Sequence, residues 1–133
     1  MSVLASYESL TLHLHPGAYP ALETEWLGFA NSVDFRRYIG QALQLAAEHG
    51  VRAWIANDRL LGAVRPIDLE WVASHVLPEM VALGVVRFAR LESEATLNRL
   101  LIGSMYQDAT PDLPLETRAF ASIEEARAWA RGQ

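Results

Sequence analysis

The chain contains neither cysteine nor lysine; all eleven of its basic residues are arginine. The absence of cysteine excludes disulfides, thiolate nucleophiles, cysteine-ligated zinc and cysteine-held iron–sulfur clusters. The absence of lysine excludes Schiff-base chemistry, a phosphate-loop lysine and the lysine of a kinase site. Long apolar runs are also missing. None approaches the roughly 20 residues that a membrane-spanning helix requires. The opening Met1–Glu8 lacks the basic region and apolar core of a signal peptide. Positive charge is scarce as well: 16 acidic residues leave a net charge of −5. The arginines are scattered, only Arg36 and Arg37 being adjacent, so there is no basic stripe of the kind nucleic-acid binders carry. No G-x-S-x-G, G-x-G-x-x-G or phosphate-loop motif occurs. A chain with no cysteine and no leader is expected in the cytoplasm.

What is present is a chain of 133 residues, 51% of them apolar. That length suits one domain spanning residues 1–133. Such a domain buries roughly two thirds of its unfolded surface, enough for a core without covalent staples. Leu10, Leu12 and Leu14 alternate with Thr11, His13 and His15, the pattern of a half-buried strand. Pro16-Gly17 closes it. Leu22–Leu27 alternates likewise, with Glu23 and Glu25 on one face, and an antiparallel pair is expected. Asn31 or Ser32 suits the cap of a helix whose Phe35, Ile39, Ala42 and Ala46 share one face. Val51–Asn57 reads as a buried strand. Pro66 suits the first turn of a second helix. Pro78 should kink or restart it, and Gly84 should end it. Val85–Leu91 is the next strand. Ser93 is expected to cap a third helix with Leu97, Leu100, Leu101, Ser104 and Met105 facing inward. Leu115–Phe120 is the last strand, and Ser122-x-x-Glu125 is a capping box for the last helix. The order β-β-α-β-α-β-α-β-α predicts an α/β fold, a mostly parallel mixed sheet covered by helices.

Four stretches carry a family resemblance: the helix Ser32–Gly50, the phrase Ala53–Arg59, the segment from Glu70-Trp71 through Leu77-Pro78 to Gly84, and the ending Phe120–Trp129. In that order and spacing they resemble the SpoIIAA-like branch of the STAS superfamily, small bacterial α/β domains related to CRAL-TRIO lipid-binding domains. The resemblance implies a non-catalytic protein-interaction or regulatory domain, with a protein partner or self-association as a homodimer, and no cofactor. Phosphorylatable STAS domains carry a serine in the loop after the third strand. Here Asp58–Pro66 contains neither Ser nor Thr, so that switch is not expected in its usual form.

Open α/β sheets bind ligands beyond the carboxyl ends of their parallel strands. That rule selects Asn57, Asp58, Arg59, Arg65, Trp71, Glu92 and Ser93 as candidate ligand- or partner-binding residues. An anion or peptide site around Arg59 is one expectation, since helix starts at Ser32, Ser93 and Ser122 also point there. A small-molecule or lipid carrier with an apolar cleft (Leu60, Leu61, Val64, Trp71, Met105) is an alternative. His13 and His15, two apart on one strand with Glu23 or Glu25 opposite, are metal candidates and support a second alternative, a metal-dependent enzyme. No catalytic constellation stands out otherwise, which turns the reading away from an enzyme.

Overall fold

The computed structural model describes all 133 residues. Six strands, β1 (Ser2–Ser6), β2 (Leu10–His15), β3 (Ala21–Trp26), β4 (Ala53–Asn57), β5 (Arg87–Leu91) and β6 (Glu116–Phe120), form one sheet in sequence order. β1, β2 and β3 pair antiparallel, and β3 through β6 pair parallel. The helices are α1 (Ser32–Glu48), α2 (Pro66–Trp71), α3 (Leu77–Leu83), α4 (Thr96–Ala109) and α5 (Ile123–Ala130). The expected order is therefore present with one strand added at the front. β1 has serine at both ends and pairs only with β2. Its formation depends on that neighbour rather than on a strong alternating pattern of its own.

Because the parallel strands follow one another across the sheet, right-handed crossovers put every connecting helix on one face. The main core agrees. Its 24 buried residues join Leu12, Leu22, Trp54 and Phe88 of the sheet to Phe35 and Ile39 of α1, Leu69 of α2, Met80 of α3, and Ile102 and Tyr106 of α4. Only α5 lies on the other face. There Ala126 and Ala130 pack on Ala21, Ala53, Ile55 and Ala89, small residues that let the helix approach closely.

The second crossover runs as one rod from Pro66 to Leu83, widened into a π-helical turn at Val72–Val76. The turn comes just before Pro78. A proline there has no N–H to give and its ring crowds the carbonyl four residues back. A widened turn relieves both, with the Leu77 amide donating to Val72. Gly84 then ends the rod at φ 103°, a backbone state that other residues adopt at a cost.

Two expectations about α4 are corrected. Ala95, not Ser93, precedes its first turn, while the Ser93 hydroxyl accepts from the Ala95 amide. Its inner face is Asn98, Ile102 and Tyr106. Leu97, Leu100, Leu101 and Ser104 point to solvent and Met105 is half-buried. The cause is Asn98, whose amide donates to the Leu61 and Gly62 carbonyls at 3.0 Å each. Satisfying those buried carbonyls outweighs burying three leucines on this helix, and the rotation follows.

The loop that Asn98 holds is also pinned from the other side. The Gly62 amide donates to the Gly28 carbonyl. A Cβ at Gly62 would sit 2.7 Å from the Phe29 Cα. Since the neighbour is backbone, Gly62→Ala must displace a chain segment. It is expected to cost about 1–3 kcal/mol, read as a lowered melting temperature by circular dichroism. An unchanged melting temperature would show that the two loops do not bear on each other.

Candidate functional site

Residues 57 and 58 follow one another at the end of β4 and project to opposite faces, as strand alternation requires. Each enters a different polar system.

On the α5 face, Asn57 donates to Glu23 at 3.1 Å. Glu23 is 0% exposed. Arg127 of α5 grips it with two bonds, from Nε at 2.8 Å and from Nη2 at 3.1 Å. His15 Nε2 lies 2.7 Å from the same carboxylate, and His13 Nε2 lies 2.7 Å from Glu25. A carboxylate accepts, so each histidine presents its Nε2–H. Burial alone would raise the Glu23 carboxyl. The bonds from His15, Arg127 and Asn57, with the Arg127 charge, outweigh burial and bring it down to about 2. The same contact raises Arg127 above the ordinary arginine range. The polar face of β2 and β3 is thus buried around Glu23. His13 and His15 are buried, and α5 with the following Arg131, whose Nε donates to the Pro16 carbonyl at 2.5 Å, closes over them.

The two metal candidates fall in this system. Ligand atoms of His13, Glu23 and Glu25 lie within 4.8 Å of one another. The Glu23 oxygens, however, are already spent on His15, Asn57 and Arg127. A cation would have to displace a guanidinium from a buried bidentate contact. His13 Nδ1 is fully buried and has no hydrogen-bond partner.

On the helix-covered face, Asp58 lines a cavity of about 40 Å³ with Leu61, Val64, Ile102, Met105 and Tyr106. Asp58 is 5% exposed and donates only through the backbone, from its amide to the Leu91 carbonyl. No hydrogen bond reaches the carboxylate oxygens. Burial drives Asp58 up to about 7, with the Arg90 charge opposing in part. Tyr106 is raised as well, by burial and by Asp58, again with Arg90 opposing. Arg90 lies over the Tyr106 ring, 4.8 Å from its centre.

The other expected residues divide. Arg59 bonds Glu94 at 3.0 Å in an exposed pair, and the Glu94 amide donates to the Arg59 carbonyl. Glu92 and Ser93 line the same shallow edge as Arg59. Arg65 stands apart, before α2 and near Asp68. Asp68 is buried. Burial would raise it, but bonds from the Ser32 hydroxyl at 2.6 Å and Arg36 at 2.9 Å, with the charges of Arg36 and Arg65, hold it below the ordinary range. Trp71 does not line the cavity. It packs edge-on against Phe35 with Arg36 over its ring. Leu60 is exposed. The helix starts expected to receive an anion are occupied by side chains: Asn31 accepts from the Asp34 amide and Ser122 from the Glu125 amide. Arg90, Arg99, Tyr106 and Arg127 were not among the expected residues. The alternation of β5 carried one usable signal, since Arg90 shares the core-facing side with Phe88.

Two outcomes are expected. Arg127→Ala leaves a buried carboxylate uncompensated and should cost about 3–5 kcal/mol in denaturant unfolding at pH 7. In the wild type the depressed Glu23 contributes about 3 kcal/mol that is complete above the ordinary glutamate range and lost as pH falls from about 4.5 towards 2; a variant whose acid limb matches the wild type would remove this account. Asp58 acts with the opposite sign. Below the ordinary aspartate range it is protonated folded and unfolded and contributes nothing. As pH rises from 3.8 to about 7 the unfolded chain ionises while the folded chain holds its proton, so stability falls across that window by about 4 kcal/mol and levels off above it. Asp58→Asn should therefore stabilise the fold at pH 8 and leave it nearly unchanged at pH 4, and equal gains at both would contradict the assignment.

No family model and no curated protein matches the chain. Among solved structures it is similar to an uncharacterized protein of the DUF3478 family with a SpoIIAA-like fold, from Shewanella loihica PV-4. The identity is 14%, 98% of each chain is covered, and the TM-score is 0.50. At that identity the likeness is one of fold, and the fold of this chain is SpoIIAA-like.

Proposed function

We propose that the chain is a single, non-catalytic STAS-like interaction or regulatory domain whose contact surface is the carboxyl end of its parallel strands. The observation that carries this reading is the apolar surface there. Leu97 is 70% exposed, Leu100 63% and Leu101 40%, and Leu60, Phe29, Val33 and Ile67 are exposed beside them. The elements that carry these residues are tied together: Phe29 packs on Gly62, and Asn98 holds that loop to the first turns of α4. Large apolar side chains left exposed at one end of a sheet favour an interaction site there. Arg59 and Arg65 border it and supply fixed charge for orientation.

A carrier reading rests on the cavity beside Asp58. At about 40 Å³ it holds two or three waters, so an acyl chain would enter only if α4 moved away from the sheet.

The interaction reading predicts that Leu97→Ser/Leu101→Ser abolishes binding while costing about 1 kcal/mol of helix stability. Tagged wild type and variant would be cross-linked in their host cells and compared, with sedimentation velocity reporting self-association. A second copy or a partner bound by the wild type and released by the variant supports the surface. A wild type that remains a lone monomer without cross-links sinks it.

A further inference from the structure

A second recess borders the apolar patch and shares Leu100 with it, between α4 and the β5–β6 edge. It is an open cleft of about 640 Å³, within the range of small-molecule sites. Its floor includes Arg90, and Arg99 of α4 stands on its rim. Five of the eleven arginines hold carboxylates: Arg36, Arg37, Arg59, Arg87 and Arg127. Arg90 and Arg99 do not. Arg99 spends one nitrogen, Nη1, on the Ser93 carbonyl at 3.2 Å. Arg90 makes no hydrogen bond, and its guanidinium is held by stacking on Tyr106. The chain carries a net charge of −5, yet this cleft has two free guanidiniums against one carboxylate, Glu92, which is exposed at the mouth. Ser104, Gln107 and Thr117 add neutral hydroxyl and amide groups to the walls.

We propose that this cleft binds a small molecule through an oxyanion, a phosphate or carboxylate group, held by Arg90 and Arg99. The planar donor fork of arginine matches both groups and stays charged at every accessible pH. Stacking on Tyr106 fixes one fork before the ligand arrives, so little side-chain freedom is lost on binding. The hydroxyl and amide walls favour a polar body behind the anion over an apolar one. The cleft shares Leu100 with the apolar contact surface but neither Leu97 nor Leu101, so the tests of the two are distinguishable.

The test is an amide NMR titration with inorganic phosphate and, separately, with succinate, against sodium chloride at matched ionic strength. Saturable shifts confined to β5, α4 and β6 are expected from at least one of the two oxyanions, and which one responds identifies the group. Arg90→Gln and Arg99→Gln should each weaken binding about tenfold, since a charge-assisted bond contributes at least about 1.4 kcal/mol. Leu97→Ser/Leu101→Ser should leave it unchanged. Shifts that rise linearly and match those of chloride overturn the proposal, and so does saturable binding that survives both arginine substitutions. Arg99 lies on the helix surface, so Arg99→Gln supplies the reading even where Arg90→Gln fails to fold.

Discussion

A fully buried glutamate is the constraint around which this fold is arranged. Glu23 sits in the third strand with no exposure, and water cannot solvate it. Burying an isolated carboxylate costs several kcal/mol even after relaxation. The chain meets that cost with three donors drawn from three places: His15 on the neighbouring antiparallel strand, Asn57 on the neighbouring parallel strand, and Arg127 on the last helix. These contacts fix the register on both sides of β3 and dock α5 at one angle. The apolar contacts of α5 are mostly alanine and would not specify its position so narrowly. Buried ion pairs are often replaceable by apolar residues of similar volume without loss of stability; the network's contribution is to orientation.

The opposite face has a buried acid without that provision. Asp58 opens onto an apolar cavity and receives no hydrogen bond. An acid in such a place lowers stability at neutral pH. Tyr106 separates this cavity from the cleft that holds Arg90, so the acid and the two free arginines lie on either side of one aromatic ring.

Much of this architecture was legible in the sequence. Periodicity located the helices and five strands, the two prolines and Gly84 placed the ends of the second crossover, and the local phrases pointed to a SpoIIAA-like fold. The features that stayed hidden share one cause: each depends on a partner remote in the chain. β1 is a strand because β2 is beside it. The His13, His15 and Glu23 face looks solvated until α5 folds back over it from more than a hundred residues away. The leucines of α4 look like a core stripe until Asn98 finds the Leu61 and Gly62 carbonyls. The candidate residues at the strand ends were readable from topology alone, but alternation sends Asn57 and Asp58 to different faces, and the free arginines of the cleft declare themselves only once the ion pairs of the others are known.

The order of the strands has a bearing on how the molecule is made. Every strand pairs with the one that precedes it in the chain, so each new strand can add to an existing edge with only a short loop or a single helix to close. The parallel pairs join residues about thirty positions apart and are slow to close, but their order suits stepwise assembly during synthesis. The exceptions tie the end of the chain to its front: the bond between Glu23 and Arg127 spans 104 positions, and that between Pro16 and Arg131 spans 115. Until α5 has emerged, Glu23 and its histidines face water and the sheet has one bare side. The final helix therefore acts as a latch, and the last contact to form is the one that takes the charge out of solvent.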